Sequence, residues 1–127
     1  MVTRLNQDQH DDMIRQLVSH LTYNDFTEIK ADVDGMTQPG PLWWPGKRLG
    51  EHIPDAVASR DGRLYIFEVE TEDTISIDHT GDQWSLFADH ALRKNGAFIP
   101  VVPTGHIPEA QQVIKELDIE VEDIWDL

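Results

Sequence analysis

No cysteine occurs among the 127 residues, which excludes a disulfide framework and any thiolate-held metal. Cations are scarce too: ten Lys and Arg stand against 24 Asp and Glu, a formal charge of −14. A broad basic footprint for a polyanion is thereby excluded, because affinity for phosphate comes largely from Lys and Arg. The acidic excess is uneven, since 116–127 holds six acids and no base. The basic residues cluster as Lys47-Arg48 and Arg93-Lys94, with Arg60 and Arg63 beside a turn. An Asp-rich, Lys-poor surface also suits a high-salt cytoplasm, where it keeps a protein solvated. No apolar run approaches the roughly 20 residues that span a bilayer, and Met1 to His10 is polar with no apolar signal core. These absences point to a cytoplasmic protein without a membrane partner. The chain reads as a single domain, residues 1–127, long enough to bury one core. No P-loop, dinucleotide fingerprint, paired-histidine zinc motif or GxSxG nucleophile is present.

What is present centres on residues 53–70. The apolar run Ile53 to Ser59, a turn carrying Asp61-Gly62, and the run Leu64 to Glu70 read as a β-hairpin. Period two places Tyr65, Phe67 and Val69 on one face and Leu64, Ile66, Glu68 and Glu70 on the other. Glu68 and Glu70 then project side by side at the far end of the second strand. Asp55 lies near the start of the first strand, which an antiparallel hairpin brings beside that end. Three acids converge, and such like charges call for a cation, a proton or wide solvent access.

The flanking elements follow from periodicity. Residues 8–22 form a helix with Ile14, Leu17, Val18 and Leu21 inward; His10 and Asp11 extend that stripe at its upper end. Residues 26–33 form a strand whose polar side carries Phe26, Glu28, Lys30 and Asp32, and Lys30 there can neighbour Asp55. Residues 34–52 form a long loop rich in Gly and Pro, with Trp43-Trp44 and Lys47-Arg48 suited to stacking on bases and gripping phosphate. A second helix runs over roughly 81–95, capped by Thr80 or Asp82, with Trp84, Phe87, Ala88 and Ala91 inward and Gln83 and His90 turned toward the carboxylates. Residues 97–102 form a buried strand, although Pro100 suggests an edge or a bulge. Pro108 opens a last helix with Ala110, Val113, Ile114 and Leu117 inward, and 119–127 ends the chain as an edge strand. The order is αβββαβ, an α/β sandwich with a mixed central sheet flanked by helices.

Pro54-Asp55, twelve intervening residues and Glu68-x-Glu70, followed by Gln83-Trp84, resemble the PD-(D/E)XK nuclease superfamily, the restriction-endonuclease-like fold. The likeness spans roughly residues 8–103 and includes small prokaryotic members. It implies a nuclease that hydrolyses a phosphodiester of DNA or RNA with Mg²⁺ (or Mn²⁺) held by Asp55, Glu68 and the Val69 carbonyl. It further implies that Asp11 joins the metal, that Gln83 supports the site, and that a homodimer is an available assembly. One departure bears on activity: the motif's lysine position is filled by Glu70, as in some active members and some that have lost activity. Glu70 can bind a second metal or act as general base. The alternatives are a catalytically inactive nuclease-like fold serving as a binding or structural module, and a Mg²⁺-dependent enzyme acting on another phosphate compound.

Overall fold

The computed structural model describes residues 7–43 and 52–127. In chain order the elements are α1 (Gln7–Tyr23), β1 (Thr27–Ala31), β2 (Ala56–Arg60), β3 (Arg63–Val69), a single 3₁₀ turn (Glu72–Thr74), α2 (Ile77–Arg93), β4 (Ala97–Val102), α3 (Ile107–Leu117) and β5 (Trp125–Asp126). The strands form one sheet in the order β1-β2-β3-β4-β5. β1, β2 and β3 run antiparallel, whereas β3 with β4 and β4 with β5 are parallel. The protein is thus α/β, with a five-stranded mixed sheet and three helices. Among the described residues no helix is long and apolar enough to cross a membrane.

The alternation in β3 divides the core between the two sheet faces. Phe67 and Val69 pack with Met13, Ile14, Leu17 and Leu21 of α1, while Ile66 packs with Trp84, Leu86 and Phe87 of α2 and Val113 of α3. The hairpin turn is tight because Asp61 (φ 53°) and Gly62 (φ 75°) both adopt left-handed backbone, which matches the twist of the strands. Both flanking arginines are committed to the fold. Arg60 lies over the Phe26 ring, 4.3 Å from its centre, and Arg63 pairs with Glu122 while donating to the carbonyls of Asn95 and Gly96.

Four expectations need correction. The second helix starts at Ile77, not Gly81, because the Ser76 side chain accepts from the His79 N–H and the Thr80 hydroxyl donates to the Ser76 carbonyl. The first strand does not alternate throughout: its register shifts between Thr27 and Lys30, and Glu28 sits at φ 53°. That bulge lets Phe26 join Ile29, Ala31 and Val33 on the α1 side, against strict alternation. The last strand shrinks to Trp125–Asp126, since Ile119, Val121 and Ile124 instead pack irregularly against the α2 side. Pro100 lies inside β4 without a bulge. Phe98 and Val102 turn their carbonyls to the N–H groups of Glu122 and Leu127, so Pro100, in the same alternation, lacks its donor on the side away from β3.

Gly96 is required where α2 turns into β4. A Cβ there would lie 2.6 Å from the Leu64 carbonyl oxygen, a backbone atom that cannot swing aside. Gly96→Ala is expected to destabilise by about 1–3 kcal/mol, read as a lower denaturation midpoint at unchanged slope.

Candidate acidic site

Asp55 directly precedes β2, and the pairing of Ala56 with Phe67 sets it opposite Glu68. The two residues are locked reciprocally. The Asp55 N–H donates to Glu68 Oε1 at 3.1 Å, and the Val69 N–H donates to Asp55 Oδ2 at 2.7 Å. Both are nearly inaccessible, Asp55 at 6 % exposure and Glu68 at 1 %. Two ionised carboxylates held side by side in this way are both acceptors only and repel one another.

Glu68 accordingly holds its proton far more tightly than an ordinary carboxylic acid. Burial is the largest cause, followed by the charges of Asp55 and Glu70, and the Asp55 amide offsets only part of this. Protonation of Glu68, like a bound cation, relieves the repulsion between the two acids.

From α1 the residue that arrives is His10, not Asp11. His10 is buried, and its Nε2 lies 3.1 Å from Asp55 Oδ2, so the proton of that bond sits on Nε2 when Asp55 is ionised. Asp11 is a third exposed and accepts from the Gln7 amide at 2.8 Å, while its nearer oxygen is 3.7 Å from His10 Nδ1. One helical position, about 100° of rotation, separates the two side chains. The helical stripe singled out both residues; His10 makes the contact with Asp55, and Asp11 stands beside it.

Glu70 is completely buried, and its oxygens have other partners. Trp84 Nε1–H donates to Oε2 at 3.0 Å, and the Thr74 hydroxyl reaches Oε1 at 2.7 Å. Thr74 is placed by the 3₁₀ turn, where its oxygen also accepts from the Thr71 N–H at 3.1 Å. Glu70 thus anchors the turn and α2 to the end of β3. Among the described residues no hydrogen bond joins Gln83 to Asp55, Glu68 or Glu70; the neighbouring Trp84 takes the inward position. Trp84 was legible as a core residue, but nothing in its spacing marks the indole N–H as a carboxylate donor.

The loop candidates are divided. Trp43 is 40 % exposed, whereas Trp44, Lys47 and Arg48 lie outside the described residues. Lys30 pairs across the strands with Val57, two residues from Asp55, but stays exposed and forms no ion pair among the described residues. His90 lines a surface groove with Trp43 and Arg93.

Among the described residues no three His, Asp or Glu side chains form a ready-made metal cage. The donor set nonetheless fits a small hard cation through two residues, since Mg²⁺ keeps several waters and takes one or two carboxylates. Asp55 and Glu68 supply that pair of oxygen ligands; Glu70, engaged by Trp84 and Thr74, does not fit as a third. Compared with protein-family models, curated proteins and solved structures, the chain matches none.

Proposed function

We propose that this chain is a metal-dependent nuclease built on a restriction-endonuclease-like core, with Asp55 and Glu68 as its ligands for Mg²⁺ or Mn²⁺. The supporting observation is the reciprocal lock between Asp55 and Glu68, which holds two like-charged side chains together in a water-poor site. Such an arrangement is unfavourable unless a cation or proton sits between them. When bound, the ion supplies an acidified water and a polarised phosphate. The chain's own residues then have separate tasks. His10 and the Val69 amide fix Asp55 Oδ2, which orients that carboxylate, and the Asp55 amide does the same for Glu68 Oε1. Glu70 is a positioning residue: through Trp84 and Thr74 it holds the end of β3 against α2. With no lysine at that position, no side chain there could stabilise charge developing on the phosphate, and a bound ion would have to supply that stabilisation.

A second reading, an inactive nuclease-like module, is favoured by the depth of burial of Glu68 and Glu70. The two readings separate on cation binding. A nuclease should melt several degrees higher in saturating Mg²⁺ or Mn²⁺, because an ion at 100 times its Kd stabilises the native state by about 2.7 kcal/mol. Asp55→Asn should abolish that rise and lower cleavage of DNA or RNA by ~100-fold or more, since the ion contributes several kcal/mol. A melting temperature indifferent to both ions, with no cleavage by the unaltered protein, sinks the nuclease reading in favour of the module.

A further inference from the structure

Among the described residues, a surface groove brings an aromatic ring together with two adjacent cations. It holds about 310 Å³ and is lined by Pro41, Leu42, Trp43, His90, Arg93 and Lys94. The volume suits a single nucleobase, at the small end of ligand sites. Leu42 pairs with His52 across the loop, and the His52 ring lies 6.5 Å from that of Phe87, which holds this wall of the groove against α2.

Its charge runs against that of the protein. On a chain of net charge −14, Arg93 and Lys94 stand adjacent at the end of α2. Asp89 occupies only Nε of Arg93, at 2.8 Å, and neither terminal nitrogen has a protein acceptor among the described residues. Lys94 has no ion-pair partner among them. His90 is held below its usual pKa by burial first and then by Arg93 and Lys94, outweighing Asp89, so it senses a locally positive field. Arg60 and Arg63 serve the fold, whereas Arg93 and Lys94 line the groove beside Trp43.

We infer that this groove binds single-stranded nucleic acid, one base stacking on Trp43 while the adjoining phosphates meet Arg93 and Lys94. Stacking on an exposed aromatic side chain with phosphate contacts beside it is the general means of holding an unpaired strand. Its role as a substrate site rests on the nuclease reading, whereas the binding itself does not.

The test is fluorescence anisotropy of labelled oligothymidylate and oligouridylate at low salt, with EDTA present so that nothing is cut. Arg93→Gln with Lys94→Gln should weaken binding about tenfold and flatten the dependence of log affinity on log salt by about 1.4, as two lost phosphate contacts require. Trp43→Ala should weaken it roughly tenfold at unchanged salt slope. Arg15→Gln, an exposed α1 cation paired with Asp12, should bind as the unaltered protein does. Absence of binding at low salt, or groove variants indistinguishable from Arg15→Gln, overturns the inference. Binding that depends on the groove in a protein that cuts nothing upholds it while refuting the nuclease reading. Cleavage of single strands that ignores all three groove substitutions does the reverse.

Discussion

Glu68→Gln is expected to raise the stability of the metal-free protein at neutral pH, by an amount on the order of 1–3 kcal/mol. The amide keeps an oxygen for the Asp55 N–H and removes the need to store a proton. The sign follows from linkage. Glu68 binds its proton more tightly folded than unfolded. Between its ordinary value of 4.5 and the raised folded value, the native state thus carries a proton that the unfolded chain has released. Its contribution is complete below the ordinary value and is lost as pH rises through that window, levelling off above it. The advantage of the glutamine variant should therefore be nil near pH 4 and grow toward neutrality. Thermal melts of both proteins across pH 4–8 measure it, and the difference between them cancels the other acids. A gap independent of pH would show that Glu68 titrates normally. The same variant should lose any stabilisation by Mg²⁺, since the nuclease reading makes Glu68 a ligand.

Trp84→Phe should cost ~3 kcal/mol or more. It removes the N–H donor to Glu70 Oε2 in a completely buried site, where losing a hydrogen bond to a carboxyl costs toward the top of the usual 1–3 kcal/mol. The smaller ring adds a packing loss beside Phe98. Pairing it with Glu70→Gln should recover part of that cost, giving a coupling of about 1 kcal/mol or more in a double-mutant cycle. Strict additivity would mean that the indole N–H does nothing for Glu70. Glu70→Lys, which places the lysine usual in the resembled superfamily into the strand, faces the same surroundings with the wrong polarity. The ammonium would meet the Trp84 donor in the core, so that variant is expected to fold poorly and not to gain activity.

Much of this arrangement was legible because β3 has a strict period of two. Once Phe67 and Val69 were assigned to one core, Ile66, Glu68 and Glu70 had to share the other side, and the short turn carried Asp55 to them. What stayed hidden depended on interactions without a period. Ser76 competes with Thr80 and Asp82 for the start of α2 through a single side-chain bond, so the helix boundary moved by a turn. Glu28 enters left-handed backbone and resets the face of Phe26, a choice that no local signal in that segment announces. His10 and Trp84 are each one position from the residues chosen for the site, His10 for Asp11 and Trp84 for Gln83. Chemistry recommended the acid and the amide, while packing delivered the imidazole and the indole. The groove that Trp43 shares with Arg93 and Lys94 joins residues fifty apart, beyond the reach of any window along the chain.

The irregular β1 and the two-residue β5 have a consequence for how this protein behaves in company. Open strand edges invite neighbouring chains to extend a sheet, and long flat ones seed polymers. Here one border is kinked by the Glu28 bulge and bears the exposed Lys30, while the other border, among the described residues, is the two-residue β5. Neither described border is a long, flat template, so strand addition along them is disfavoured. A crowded solution of this protein should accordingly resist fibre formation through these edges.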